Sequence, residues 1–157
     1  MKLHCIAIGR NSIPYVDDGV ALYAARLRRY CDFAFRIVET PKTWGRLPAS
    51  ELTRREGELL LELLPSYGAV YLLDERGEQP TSPGLASLLE HRLSHGPSQV
   101  AFVIGGAYGI SSAVKEAYRE CLSLSRLTFS HQLVRIILLE QLYRAFTILR
   151  GEPYHHA

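Results

Sequence analysis

The stretch Gln99-Val100-Ala101-Phe102-Val103-Ile104-Gly105-Gly106-Ala107-Tyr108-Gly109 is an apolar strand that runs straight into two adjacent glycines. Such a junction lets a ligand approach the main chain with no Cβ in the way. It is not a dinucleotide fingerprint, which needs Gly-x-Gly-x-x-Gly after the first strand with a helix directly behind it. Nor is it a phosphate-cradling P-loop, because Gly109 is followed by Ile110 and not by Lys. Taken alone, Gly105-Gly106 fits a tight turn and a ligand cradle equally well.

Reading outward, strands and helices alternate. Lys2–Gly9 reads as a first strand, and Tyr15–Tyr30 carries Val16, Val20, Tyr23, Ala24 and Leu27 at helical spacing. Phe33–Glu39 is a second strand. Residues 40–49 hold two prolines, a glycine and the only tryptophan, a loop longer than most connections. Ser50 is the expected cap of a helix to Leu64. Ala69–Leu73 is a third strand ending in an Asp74-Glu75-Arg76-Gly77 turn. Thr81 or Ser82 opens a helix with Pro83 near its start. Ser111 or Ser112 caps a short helix to Tyr118, Cys121–Leu124 is a fifth strand, and His131–Arg150 is the longest helix. Alternation of this kind predicts an α/β fold, a mostly parallel sheet with helices on both faces, as a single domain over residues 1–157. Ligands of such folds bind beyond the carboxyl ends of the strands. Three of those ends are chemically prepared: Leu73-Asp74, Ile104-Gly105-Gly106 and Leu124-Ser125-Arg126.

Composition narrows the function. Of 157 residues, 47% are apolar and 22% charged, enough for a core without staples and incompatible with disorder over the whole chain. The longest aliphatic run, Ile136–Leu139, falls far short of the ~20 residues that span a bilayer. The apolar start, Leu3–Ile8, is interrupted by His4 and ends in Gly9-Arg10, too short and polar for a signal-peptide core. Cys5, Cys31 and Cys121 form no CxxC pair, so neither a zinc site nor a disulfide framework is expected, and a reducing cytoplasm fits. Net charge is only +2, from 18 basic and 16 acidic residues. That is too weak to prove a nucleic-acid partner.

Several residues invite chemistry. Leu124-Ser125-Arg126-Leu127-Thr128-Phe129 mixes small hydroxyls with bulky apolars just past a strand, suited to wrapping a flat ring. The same stretch also reads as a strand with a wet face. His131 stands at the start of the long helix, where the dipole lowers its pKa. Arg135 and Arg144 lie along that helix, where most arginines are solvated. Asp74-Glu75 is the nearest approach to a carboxylate pair. Pro153-Tyr154-His155-His156-Ala157 puts a phenol and two imidazoles at a terminus, where packing demands are weakest. No spacing supports a metal site.

Taken in order, Leu72-Leu73-Asp74, Val103 to Gly109, Leu122 to Ser125, Thr128 to Arg135, Glu140 to Ala145 and Pro153-Tyr154-His155 make the chain resemble the RlmH group of SPOUT methyltransferases. The resemblance covers essentially the whole chain. It implies methylation of N3 of a pseudouridine in 23S ribosomal RNA, carried out on the assembled ribosome, with S-adenosylmethionine as methyl donor. It also implies a trefoil knot in the C-terminal third, against the general rarity of knots, and a homodimer with its active site at the subunit interface. By position, Leu73, Gly105, Gly106, Leu124, Ser125, Arg126, Leu127, Thr128 and Phe129 would form the cofactor pocket. A side chain added at Gly106 would then face the ligand. Tyr154 and His155 would reach the target base, His155 as first choice to take its proton. Arg135, Arg144 and His131 would contact the substrate. The chain departs from the group's pattern at Glu78, Ser130 and His156, each removing positive charge or rigidity. Two rival readings are a ribosome-binding factor that keeps the fold without catalysis, and a nucleotide-binding oxidoreductase; the missing first-strand fingerprint argues against the second.

Overall fold

The computed structural model describes residues 1–9 and 13–156; Arg10 and Ala157 therefore lie outside the described residues. The alternation is present: β1 (Lys2–Ile8), α1 (Pro14–Leu27), β2 (Asp32–Val38), α2 (Ala49–Leu63), β3 (Ala69–Glu78), α3 (Ser82–His95), β4 (Gln99–Ile104), α4 (Ser112–Ala117), β5 (Cys121–Leu122) and α5 (Leu133–Leu149). The five strands form one sheet in the order β2-β1-β4-β3-β5, and every pairing is parallel.

Side-chain alternation divides the core in two. Leu3, Cys5 and Ala7 of β1, Tyr71 of β3, and Val100, Phe102 and Ile104 of β4 face α1, α3 and α5. Ile6, Ile8, Val70, Leu72, Ala101 and Val103 face α2 and α4, where Leu60, Leu64 and Val114 meet them. The inner strands are thus apolar on both faces, as a parallel sheet covered twice requires.

The boundaries shift for local reasons. α1 starts on Pro14, whose missing N–H costs nothing at the first helical position, and tightens into a turn after Leu27. α2 starts one residue before Ser50, because the extended Pro48 sets its first turn and accepts from the Leu52 N–H at 2.9 Å. Thr81 and Ser111 cap as expected, accepting from the N–H groups of Gly84 at 3.1 Å and Val114 at 3.4 Å. α5 starts at Leu133 and not at His131: the Ser130 hydroxyl accepts from the Leu133 N–H at 3.0 Å and holds His131 in the preceding turn. The long loop after β2 contains a 3₁₀ turn, Lys42–Arg46.

The largest departure is at β3, which continues past Leu73 to Glu78 through an irregularity. Leu73 and Glu78 both pair with Leu122, so the segment between them bulges around β5. β5 itself stops at Leu122 and not at Leu124. The Ser123 N–H is donated to the Glu78 carbonyl at 2.8 Å, and the Ser123 hydroxyl to the Ser125 carbonyl at 2.9 Å, which turns the chain out of the sheet. Gly77 makes this approach feasible. A Cβ there would lie 2.6 Å from the main chain of Cys121 and Leu122. Gly77→Ala is expected to force the two segments apart and lower stability by about 1–3 kcal/mol, the usual cost of overpacking. Denaturant titration with an unchanged midpoint would contradict this packing.

Candidate active site

Two cavities open at the carboxyl edge of the sheet. The first, about 540 Å³, is lined by Leu73 to Arg76, Ile104 to Ile110, Leu122 to Ser125, Leu127 to Phe129, Lys115, His131 and Val134. It gathers Leu73, Gly105, Gly106, Leu124, Ser125, Leu127, Thr128 and Phe129 into one wall. Arg126 is exposed and outside that lining. The second, about 740 Å³, lies beyond the ends of β1 and β2 and is lined among others by Gly9, Lys42, Trp44 and Glu56. Gly106, Ala107 and His131 line both and form the partition between them.

Close packing shapes the first cavity. A Cβ on Gly105 would lie 2.7 Å from Ile110 Cγ1 and 2.8 Å from the Gly109 carbonyl carbon, so the loop can fold back on itself only over a glycine. Gly109, at φ +83°, completes that turn. Opposite, the Ser125 hydroxyl accepts from the Leu127 N–H at 2.9 Å and curls the chain, leaving Leu127 73% exposed over the opening. Asp74 is no general acid. Burial opposes its ionisation, but the Lys115 ammonium and the Arg76 N–H outweigh burial and hold its carboxyl below the ordinary aspartate range.

Gly106 departs from expectation. Its Cβ would not enter the first cavity but would meet Glu56, 2.4 Å from Oε2 and 2.8 Å from Oε1. Glu56 is 8% exposed, and its carboxylate has no hydrogen bond or ion pair among the described residues. Burial alone raises its pKa to about 6. The helix that carries it shows it as an anomaly: Glu56, Gly57, Leu60 and Leu64 share one buried stripe, and only the first is charged. That signal was in the sequence, whereas the exposed face of Arg54, Arg55, Glu58 and Glu62 is the more visible pattern.

Arg135 is also not where helical arginines usually sit. It is 1% exposed, and among the described residues none of its three nitrogens has a hydrogen-bond partner. Burial lowers its pKa, while Cys5 and Asp17 act the other way. It lies against Gly9, whose Cβ would be 3.5 Å from a terminal guanidinium nitrogen. His131, on the partition, has its pKa lowered chiefly by burial and secondarily by Arg135; no dipole is needed.

Tyr154 and His155 lie elsewhere in the same chain. The tail folds back on the far half of α5. The Tyr154 hydroxyl donates to Glu140 Oε1 at 3.0 Å, its ring lies 4.7 Å under the Arg144 guanidinium, and it meets Tyr143 edge-on. Burial and the Glu140 bond push the phenol well above its usual range. Arg144 bridges to Glu140 at 2.5 Å and donates to His155 Nδ1 at 3.3 Å. Arg144 stands ten residues beyond Val134 of the first cavity, about 15 Å along the helix. The structure therefore joins Arg144, Tyr154 and His155 to one another and separates them from the cavity of their own chain.

Residues 1–155 match the family model described as "Predicted SPOUT methyltransferase". The chain belongs to the SPOUT methyltransferase family. Similar proteins include those named Ribosomal RNA large subunit methyltransferase H from Geotalea uraniireducens, 44% identical over 99% of this chain and all of the relative, and from Geotalea daltonii, 46% identical with the same coverage. A third, from Parabacteroides distasonis, is 40% identical over 99% of both chains. Among solved structures, TrmJ from Z. mobilis aligns with a TM-score of 0.55 at 14% identity, covering 97% of this chain and 72% of the other. A methylase family protein from Neisseria gonorrhoeae aligns with a TM-score of 0.53 at 15% identity, covering 98% and 85%. Those two likenesses support the fold alone. Among the described residues no group of side chains could hold a metal ion, and no helix is long and apolar enough to cross a membrane.

Glu56 gives the fold a pH signature. Its carboxyl titrates at about 6 in the fold against 4.5 as a free group, so ionisation favours the unfolded chain. Its contribution to stability is fully present below about pH 4.5 and is lost as pH rises through about 6. Glu56→Gln is therefore expected to melt higher than the parent above pH 6, with the difference closing in more acidic buffer. Calorimetric scans showing a constant offset would contradict the assigned titration.

Proposed function

We propose that this chain, as a single domain over residues 1–157, transfers a methyl group from S-adenosylmethionine to N3 of a pseudouridine in 23S ribosomal RNA, on the assembled ribosome in the cytoplasm. The observation that carries the reading is the first cavity. It lies in a SPOUT family chain and is walled by the Gly105–Gly109 turn and the Leu122–Phe129 loop. The names of its relatives supply the substrate class.

The residues present fit the methyl donor. The volume of about 540 Å³ falls in the usual range for small-molecule sites. Gly105 keeps the cavity's floor at main-chain level, and Leu73, Leu124 and Phe129 offer apolar walls to a flat ring. Bound there, S-adenosylmethionine supplies a methyl group already activated on a sulfonium. The chain's task is to align that group with a ring nitrogen and to manage the nitrogen's proton. A C-terminal trefoil knot belongs to this reading.

The separation of the tail from its own cavity supports a homodimer with composite sites. In that arrangement Tyr154, His155 and Arg144 of one protomer face the cavity of the other, with Arg135 and His131 on the substrate side. Tyr15 and Leu22, a helical repeat apart on α1 and 62% and 50% exposed, and Leu133 of α5 offer apolar surface for the contact. His155→Ala, which removes a group that positions the target base, is expected to slow transfer by about 10²-fold with cofactor affinity unchanged.

A mixed dimer tests the arrangement. One subunit carries Leu124→Arg, which places a long cation in the cofactor cavity, and the other His155→Ala. Tails acting in trans put both lesions in one site and leave the other intact, so up to half the parent activity returns. A dead mixed dimer would show that the tail acts in cis. Parent protein that binds S-adenosylmethionine in calorimetry yet methylates no ribosomal particle would instead favour a non-catalytic ribosome-binding factor.

A further inference from the structure

Resting on the reading above, we propose that Glu56 touches the target base in the second cavity and takes the proton from its ring nitrogen. Three observations converge on it. First, the position is a boundary. Glu56 contacts Gly106, and among the described residues Gly106, Ala107 and His131 line both cavities. A group at that wall stands beside whatever meets the methyl donor. Second, the residue is largely buried while its carboxylate, unpartnered among the described residues, lines the cavity. An uncompensated buried carboxylate opposes folding, and such groups are usually paired. A donor N–H arriving with a substrate would satisfy it. Third, the cavity's other walls suit a nucleotide. Trp44 presents an indole, held against the Arg55 guanidinium at 5.8 Å, and Lys42 supplies an exposed ammonium suited to phosphate.

The competing acceptors are weaker. The His155 Nδ1 lone pair is directed at Arg144, an obligate donor, which leaves its other nitrogen carrying hydrogen. His131 lines the partition, but burial and Arg135 both disfavour its protonated form. The burial that makes His131 a poorer base makes a carboxylate a better one. Among the described residues Lys42 and His131 are the other titratable groups lining the cavity, and on the neighbouring α4 Lys115 is paired with Asp74.

The step balances. The N3–H proton passes to a Glu56 carboxylate oxygen, and the lone pair left on nitrogen forms the bond to the methyl carbon. The carbon–sulfur bond breaks with its electron pair retained by sulfur, and the carboxyl proton then leaves to solvent.

The test compares parent and Glu56→Gln, which keeps shape and hydrogen bonding but cannot accept the proton. Single-turnover methyl transfer to ribosomal particles is followed from about pH 5 to about pH 9, with S-adenosylmethionine affinity and melting temperature measured alongside. The parent rate should rise through about pH 6 and level off. The variant should be slower by about 10²–10⁴-fold at neutral pH, bind the cofactor as the parent does, and recover steadily as alkaline solvent removes the proton instead. A variant as fast as the parent, one whose defect is the same at every pH, or one that has lost the cofactor in proportion would overturn the proposal and leave the methyltransferase reading standing. A parent that transfers nothing would overturn that reading, and this proposal with it.

Discussion

Parallel pairing of all five strands sends every carboxyl end to the same edge of the sheet, while helices cover both faces. The edge is the one side left for chemistry, and β1 and β4 reach it apolar and buried to their last residue. Polar groups therefore appear abruptly, at Gly9, Asp74, Gly105 and Ser123, on turns whose positions the rigid sheet fixes. Gly77 and Gly105 allow those turns to touch: one admits β5 into the bulge of β3, the other folds the β4 loop onto itself. The first cavity is the space left between these two contacts.

Burial does the second part of the work. It raises the Glu56 carboxyl, lowers His131 and lowers Arg135, each by withdrawing the charged form from water. Asp74 is as near to the cavity, yet its ion pair with Lys115 keeps it firmly charged. Two carboxylates on one edge are thus given different tasks by their neighbours, one held as a fixed charge and the other left ready to exchange a proton. At the other end of α5, Glu140, Arg144, Tyr154 and His155 share a tight polar cluster that fixes the tail. That order at a terminus is itself unusual, since tails fray unless something holds them.

Much of this was legible in the residues. Apolar runs and helical spacing, with the cap residues Thr81 and Ser111 for α3 and α4, locate all ten elements. The glycine pair and the Leu124–Phe129 run each admit a ligand-binding reading beside a turn or a strand, and the family resemblance joins them into the one pocket that the first cavity brings together. What escaped was long-range. No local pattern shows that Leu73 and Glu78 share one partner, so the residues alone fit a strand followed by a turn. Nothing local distinguishes Arg135, sunk beneath Gly9, from a solvated helical arginine. What a side chain at Gly106 would meet depends on how α2 docks, and with it the meaning of Glu56, whose place in an apolar stripe is the one local sign.

The central claim is that this edge joins a methyl donor to a ring nitrogen of ribosomal RNA. The most direct measurement is mass spectrometry of nucleosides from large-subunit RNA after ribosomes are incubated with the protein and S-adenosylmethionine bearing a deuterated methyl group. The account predicts the label on the base of a single pseudouridine, attached to N3. Label on ribose, on several scattered bases, or on none would contradict it.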